Sequence, residues 1–191
     1  MPPANQLLGP LTYGDAVPDD LENVAAAAAG GDREAFAELI ARTQTDIWRF
    51  TAYLVDRQAA DDLTQETYLR AFRSLSRFRS EAPILTWLLT IARRVCIAEI
   101  DRRSRALEAQ LLPAAEPSVP DHSARTELEV VLDSLEPQRR LAFVLTQVIG
   151  CDYAEAAVIC QCAIGTIRSR VARARNDLVV ALRPEEHRAT S

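Results

Sequence analysis

The fold is decided by one stretch of the chain, Gly165-Thr166-Ile167-Arg168-Ser169-Arg170-Val171-Ala172-Arg173-Ala174-Arg175. It combines four arginines with apolar residues spaced three and four apart, and this spacing places the apolar residues on one side of an α-helix. The same spacing extends beyond the stretch and gives an apolar stripe of Ile164, Ile167, Val171, Ala174, Leu178 and Leu182. Arg183 adds another positive charge. The stretch therefore predicts an amphipathic helix with a basic outer surface.

A second short helix is predicted just before this basic helix. Residues 152–159 have a helical pattern, and a tight connection through Cys160, Gln161 and Cys162 follows them. A short helix, a turn and a basic helix are typical of a helix-turn-helix, whose second helix enters the DNA major groove. The alternative is an ordinary surface helix whose arginines are simply solvated.

The basic helix also supplies candidate DNA contacts. We expect Arg168 and Arg173 to contact bases, because arginine can bridge O6 and N7 of guanine. Arg170 and Arg175 are expected to contact phosphate or to hold the structure. The helix N-terminus, near Thr166 and Arg168, favours a phosphate. The complete candidate face consists of Thr166, Arg168, Ser169, Arg170, Ala172, Arg173 and Arg175.

The overall charge argues against DNA binding, but its distribution does not. The 191-residue chain has a net charge of −5 and a pI of about 5.2, whereas nucleic-acid binders are usually basic. Residues 1–66 hold 4 arginines and 12 acids, and residues 70–106 hold 9 arginines and 3 acids. All 22 basic residues are arginine, which suits phosphate and guanine recognition but is explained equally well by genomic base composition.

The sequence indicates a cytoplasmic protein without a metal or cofactor. No apolar run is long enough to span a bilayer and no secretory signal is present, so we expect no membrane insertion. Three of the four cysteines, Cys151, Cys160 and Cys162, cluster near the predicted turn, which raises a metal or redox site as an alternative. A Cys-x-Cys pair without a nearby histidine is a weak zinc signature. These cysteines and Cys96 are therefore expected to be buried apolar side chains.

The apolar periodicity predicts an all-α fold of two small helical domains joined by a flexible linker. Residues 1–18 are expected to be a disordered extension, 19–104 the first domain, 105–124 the linker, 125–183 the second domain and 184–191 a tail. Within the first domain we expect Asp32 to cap a long helix, a further helix to open with Asp61 and Asp62 in its first turn, and another to span 85–103. Helices over 125–135 and 137–149 precede the helix-turn-helix.

A basic loop over residues 76–83 suggests a second nucleic-acid surface. It holds Phe78 and Arg79, and the following helix adds Trp87, Arg93 and Arg94. Arginine interleaved with aromatic residues suits single-stranded nucleic acid, because bases stack on the rings while guanidinium groups contact phosphate. The alternative is that Phe78 and Trp87 belong to the core.

Three stretches, in order, resemble one protein family. Asp62-Leu63-Thr64-Gln65-Glu66-Thr67-Tyr68-Leu69-Arg70-Ala71-Phe72 resembles region 2 of the extracytoplasmic-function sigma factors. The basic stretch of residues 165–175 resembles their region 4. Thr86-Trp87-Leu88 with Ile91-Ala92-Arg93 adds a third match, and the resemblance covers roughly residues 19–182.

The resemblance implies an initiation subunit that binds the beta and beta-prime subunits of RNA polymerase core and opens promoter DNA, without covalent chemistry of its own. It assigns core binding to Asp62, Gln65 and Glu66. It assigns the −10 element to Phe78, Arg79, Trp87, Arg93 and Arg94, and the −35 element to the candidate face of the basic helix. Family members are commonly held inactive by an anti-sigma factor or by another regulatory device, so the resemblance implies an anti-sigma factor as one candidate partner.

The chain departs from the family pattern at several positions. The turn has Cys160-Gln161-Cys162-Ala163 where the family often has Leu-Gly-x-Pro, so we expect its backbone to differ. Arg94 replaces a common Asn, and Pro83 and Leu85 replace commoner residues beside the −10 loop, which leaves the −10 sequence open.

Two other classes of function fit the sequence less well. A helix-turn-helix regulator that does not replace the sigma subunit needs an effector or receiver domain, and residues 19–103 lack βα alternation. An enzyme is disfavoured because the sequence shows no phosphate-binding glycine loop, no His-Glu-x-x-His and no nucleophile motif.

Overall fold

A computed structural model describes residues 19–110 and 126–182 of the chain. Within these residues the protein is helical and contains no strand, which confirms the all-α prediction. A 3-10 turn, Leu75–Arg77, follows α3, and a π-helical segment, Val144–Ile149, extends α6. The predicted extension 1–18, the linker from residue 111 onward and the tail lie outside the described residues. The α-helices are α1 (Asp19–Ala29), α2 (Arg33–Leu54), α3 (Arg57–Ser74), α4 (Ile84–Gln110), α5 (Glu127–Asp133), α6 (Pro137–Phe143), α7 (Tyr153–Cys160) and α8 (Ile164–Ala181).

The N-terminal caps of α2 and α3 show where the sequence signals were correct and where they were not. Asp32 caps α2 as predicted, and its Oδ1 accepts from the amides of Glu34 and Ala35 at 2.9 and 3.1 Å. Helix α3 begins at Arg57, behind an Asp56 cap that accepts from Ala59. The predicted start at Asp61 was wrong, because Asp56 is itself a strong capping residue. Asp61 and Asp62 therefore lie in the second turn.

Helix α4 is longer than predicted at its C-terminal end. It continues to Gln110 instead of ending near Arg103, so residues 105–110 belong to a helix and not to the linker. Residues 105–109 of this extension are exposed, and ion pairs stabilise the helical turn that precedes them. Glu99 accepts from Arg102 at 2.8 Å and from Arg103 at 2.6 Å, and Arg103 also pairs with Asp56.

Capping residues fix the ends of the helices in the second domain. Thr126 and Glu129 form a reciprocal capping box at α5, and Asp152 and Glu155 form another at α7. Pro137 occupies the first turn of α6. Gly150 ends the π-helical segment with φ 88°, a left-handed conformation in which glycine is not strained.

The two domains pack on each other around a shared apolar core. α2 contacts the π-helical segment, and α4 contacts α7. Polar contacts join the domains as well: Arg140 Nε donates to the Tyr53 carbonyl at 2.7 Å, and Arg57 Nε lies 3.8 Å from Glu129 Oε1. The helix-turn-helix is therefore held against the first domain.

Most of the predicted core positions are buried. Leu39, Ile47 and Phe50 on α2 are fully buried, as are Ile167 and Ala174 on α8. Two residues of the predicted apolar stripe lie at the ends of α8 and are exposed instead, Ile164 at 41% and Leu182 at 59%. Ile100, in the C-terminal half of α4, is also exposed, at 41%.

Candidate nucleic-acid interface

The outer face of α8 is an arginine-rich surface. Ile167 and Val171 attach the helix to the second domain through its inner side. The predicted base-contacting residues lie on the opposite side, free of the core. Those exposed residues are Arg168, Ser169, Ala172 and Arg173.

The other residues predicted for this face are engaged within the domain. Arg170 donates to Cys162 Sγ at 3.7 Å, and Arg175 donates to Gln147 Oε1 at 2.8 Å. Thr166 is partly buried, and its amide donates to the Ala163 carbonyl at 2.9 Å. The Thr166 amide is thus not free for a phosphate, contrary to what the helix N-terminus suggested.

The turn between α7 and α8 keeps a sharp geometry without glycine or proline. Gln161 adopts a left-handed conformation with φ 55° and ψ 47°, the conformation that glycine usually supplies after a helix. Cys160 beside it is buried, and burial raises its thiol pKa to about 11. Cys96 and Cys151 are buried as predicted, whereas Cys162 is only partly buried.

Three of the five predicted −10 residues, Phe78, Arg79 and Trp87, line a cleft between the domains, whereas Arg93 and Arg94 do not. The Phe78 and Trp87 rings stack at a tilt of 55°, with 5.4 Å between their centroids. Both rings are half-buried. The cleft has a volume of about 310 Å³ and is lined on the first domain by Arg77, Phe78, Arg79, Glu81, Ala82, Thr86, Trp87 and Thr90.

The second domain forms the other wall of this cleft. Val158 and Gln161 line it from α7 and the turn, and Thr86 Oγ1 donates to Glu155 Oε1 at 3.4 Å across the junction. Sequence patterns did not predict these residues, because helical periodicity carries no information on how two domains pack together. Val158 is 56% exposed, so it also lacks the burial that marks a core position.

The arginines predicted for the −10 element differ in accessibility. Arg79 and Arg94 are exposed, whereas Arg93 is half-buried. The Arg93 Nε atom is buried and has no hydrogen-bond partner among the described residues. Arg93 lies near Cys160, whose pKa its charge affects, and so it faces the second domain.

The residues predicted for core binding lie on α3. Asp62 and Gln65 are exposed, and Glu66 pairs with Arg70 at 2.7 Å. Gln65 lines a groove of about 400 Å³ between α2 and α3, together with Trp48 and Asp61.

Trp48 is a further candidate for this surface that no motif in the sequence indicated. It is half-buried, and its Nε1 donates to Asp61 Oδ1 at 2.8 Å. The Arg57 guanidinium lies 5.3 Å from its ring centroid, within cation–π range. Its place on a broad apolar face of α2 concealed this role.

No helix among residues 19–110 and 126–182 is long and apolar enough to cross a membrane.

Two family models match the chain in the order of its domains. Sigma-70 region 2 matches residues 39–106, and Sigma-70, region 4 matches residues 125–178. The first match contains α3 and most of α4, and the second contains α5 to α7 and most of α8.

Individual relatives and solved structures agree with these matches. The chain is 40% identical over 169 residues to the ECF RNA polymerase sigma factor SigC of Mycobacterium tuberculosis, covering 85% of this chain and 91% of SigC. It is 38% identical over 129 residues to EcfG of Rhodopseudomonas palustris, covering 64% of this chain and 71% of EcfG.

Two solved complexes contain similar folds. CnrH bound to the cytosolic domain of CnrY gives a TM-score of 0.69 at 25% identity, covering 86% of this chain and 97% of that one. RpoE bound to the anti-sigma factor NepR from Bartonella quintana gives 0.65 at 29% identity, covering 78% and 98%. With both regions matched and most of SigC aligned, this chain belongs to the extracytoplasmic-function sigma factors, a regulatory class that directs promoter-specific transcription.

Proposed function

We propose that this sigma factor uses three separate surfaces during initiation. The α3 face of Asp62, Gln65 and Glu66 binds polymerase core. The cleft that holds Phe78 and Trp87 recognises the −10 element, and the outer face of α8 recognises the −35 element. The observation that carries this proposal is the exposed row of Arg168, Ser169, Ala172 and Arg173 on a helix whose inner side is buried.

The chemistry of the α8 face suits duplex DNA. Arg168 and Arg173 are exposed, so their guanidinium groups are free to form bidentate contacts with guanine. Arg170 and Arg175 are engaged with Cys162 and Gln147, so we assign them to holding the helix and to phosphate contact rather than to base selection. Base selection in the −35 element therefore rests on the two exposed arginines.

The chemistry of the cleft suits unpaired bases. The Phe78 and Trp87 rings supply stacking surfaces, and Arg79 and Arg94 supply exposed charges for the strand backbone. The buried Nε of Arg93 has no partner within the described part of the chain, and we assign Arg93 to a DNA contact made once the second domain has moved away from the cleft. Stacking offsets the few kcal/mol needed to take a base out of the duplex.

The partners follow from the same surfaces. The α3 face is acidic and polar, which suits basic residues of the beta-prime subunit, and the second domain contacts the beta subunit. NepR is an anti-sigma factor in the RpoE complex, and we propose that this chain is also bound by an anti-sigma factor. It acts on polymerase in the cytoplasm and performs no covalent chemistry of its own.

Run-off transcription on a genomic promoter library tests this function. We expect specific transcripts only when the chain and core polymerase are both present, and the promoters used will define the −35 and −10 sequences. If the chain represses or activates another holoenzyme but directs no transcript with core alone, the proposal fails.

A further inference from the structure

The loop before α4 is anchored by a carboxylate on α1, a helix that is distant from the loop in sequence. Ala82 and Pro83, the two residues before α4, have no side-chain oxygen, so neither can cap the helix. The Ile84 amide instead donates to Glu22 Oε1 at 2.8 Å, although the two residues are 62 positions apart. Helix α1 also packs against the 3-10 turn and α4. Glu22 therefore fixes the point where the loop ends and α4 begins.

The Ile84 amide depends on this acceptor. Ile84, Leu85 and Thr86 are all buried, so water has little access to the first turn of α4. A buried amide without an acceptor pays its full desolvation cost. A carboxylate is also the favoured group at a helix N-terminus, because the macrodipole is positive there. The Glu22 bond is thus a specific anchor and not an incidental surface contact.

The other end of the loop is fixed as well. The Phe78 amide donates to the Leu75 carbonyl at 2.8 Å, and the Phe78 ring stacks on Trp87. Between the two anchors, Ser80 has φ 54°, a left-handed conformation that is unfavourable for residues other than glycine. A strained segment keeps its shape only while both of its ends are held. Loss of the Glu22 anchor should therefore let the loop relax.

We propose that Glu22 is a positioning residue for −10 recognition. It contacts no DNA itself, and it holds the loop so that Phe78 and Arg79 face the cleft. This inference rests on the proposed function of the cleft. It assigns a role in sequence selection to α1, a helix that lies outside both family matches.

The test compares variants at Glu22 that separate hydrogen bonding from charge. Glu22→Gln keeps the acceptor oxygen without the charge, and Glu22→Asp keeps the charge on a shorter side chain. With holoenzyme, one measures the affinity ratio for single-stranded DNA carrying the −10 sequence from the promoter library against a scrambled strand. We expect Gln to preserve this ratio, and Asp and Ala to lower it by roughly fivefold to tenfold.

A matched control lies two residues away on the same helix. Asp20→Ala removes another long-range carboxylate contact of α1, the 2.9 Å pair with Arg42 of α2, and should leave the ratio unchanged. Core affinity and thermal unfolding are measured on every variant. If the Ala and Asp variants lose stability and core affinity in parallel while the ratio stays constant, Glu22 is merely structural and the inference is wrong. If Ala fails to fold, the comparison of Gln with Asp decides.

The outcomes also separate this inference from the function of the cleft. If Arg79→Ala lowers the ratio but the Glu22→Asp and Glu22→Ala variants do not, only the role of Glu22 is refuted. If Asp preserves the ratio and Gln loses it, the charge of Glu22 acts instead of its hydrogen bond, which also refutes the anchor. If neither Phe78→Ala nor Arg79→Ala lowers the ratio, the assignment of the cleft fails and the inference fails with it.

Discussion

Gln161 is the most informative single residue of the helix-turn-helix, because of its backbone conformation. Its left-handed conformation, with φ 55°, is the one in which a Cβ atom is crowded by the neighbouring carbonyl oxygen. The family pattern often has glycine here, and the sequence analysis expected a different backbone for that reason. The turn is instead closed in the usual left-handed way, with strain at Gln161 in place of a new geometry. The tertiary packing of α7 and α8 therefore overrides the local preference of this residue.

Replacing Gln161 with glycine should stabilise the protein. Relief of the left-handed strain favours the Gln161→Gly variant by about 1 kcal/mol after the larger chain entropy of glycine is deducted. Urea denaturation of the full chain measures the difference. Gln161→Ala serves as the control, because it removes the amide but keeps the strain, and it should give no gain. Equal effects of Gly and Ala would assign the change to the lost side chain and not to the backbone.

The buried thiols make stability depend on pH in the alkaline range. Burial raises the pKa of Cys96 to about 12 and that of Cys160 to about 11. An unfolded cysteine ionises near pH 8.5, so above this pH the unfolded state releases protons that the folded state still holds. The stabilisation is complete below roughly pH 8.5 and is lost as pH rises through the folded-state values.

Each thiol should lower the free energy of unfolding by up to about 1.4 kcal/mol per pH unit within that window. Urea denaturation at several pH values between roughly 9 and 11 measures the slope. The Cys96→Ala variant should show a slope smaller by one proton, even though its absolute stability also changes. An unchanged slope in this variant would mean that Cys96 already ionises normally in the folded state.

At the scale of helices, apolar periodicity predicted the centres of α2, α4 and α8 correctly but not all of their ends. The start of α3 was missed because residues 57–60 are not periodically apolar, so the only signal was the capping residue Asp56. The C-terminal end of α4 was missed for a related reason. Residues 104–109 are exposed, and their helix rests on i,i+3 and i,i+4 contacts around Glu99 and on good helix formers, which leave no apolar stripe.

The candidate sites were predictable only to the level of a surface. Resemblance identified the residues of α3 and α8, and the helical wheel predicted the outward direction of Arg168 and Arg173. Neither could show that Arg170 and Arg175 bond within the domain, since Cys162 and Gln147 are brought to them by tertiary packing.

A charge reversal on α3 should weaken polymerase binding. We expect the double variant Gln65→Ala with Glu66→Arg to bind core at least about tenfold more weakly, or roughly 1.4 kcal/mol, because an acidic contact becomes a repulsive one. Competition for core in a pull-down measures this, and circular dichroism should show unchanged helicity. Glu108→Arg, an exposed reversal on α4, is the matched control. Full competition by the double variant would show that this surface has been misassigned.

The arginines of α8 should divide into two groups of variants. Arg168→Ala or Arg173→Ala should reduce the preference of holoenzyme for the −35 sequence over a scrambled one, by about 1–3 kcal/mol for a lost bidentate contact. Arg175→Ala should weaken binding to both sequences nearly equally and reduce the salt slope by about one. Holoenzyme on duplex promoter fragments is the suitable assay, and Arg33→Ala, an exposed arginine on α2, is the control. Full discrimination by both Arg168→Ala and Arg173→Ala would exclude base contacts by this face.

At the scale of the whole molecule, the second domain closes one side of the cleft that we propose for the −10 element. Val158 and Gln161 occupy one wall of the space that Phe78 and Trp87 line from the other side. Arg140 and Glu129 hold the domains together at the turn between α2 and α3. Sequence patterns could not predict this arrangement, because helical periodicity carries no information on which faces of two domains pack together. On the proposed function of the cleft, we expect a single strand to enter it fully only after α7 has moved away.

Opening the domain junction should therefore strengthen binding of single-stranded DNA by the isolated chain. Val158→Arg places a guanidinium beside Arg77 and Arg79 in the cleft, and repulsion between like charges disfavours the closed arrangement. We expect roughly tenfold tighter binding of a −10 oligonucleotide, equivalent to about 1.4 kcal/mol, as measured by fluorescence anisotropy. Val130→Arg adds the same charge at an equally exposed valine on α5, outside the cleft, and should have a much smaller effect. Equal gains from both variants would show that added positive charge acts alone and that the junction does not restrict access to the cleft.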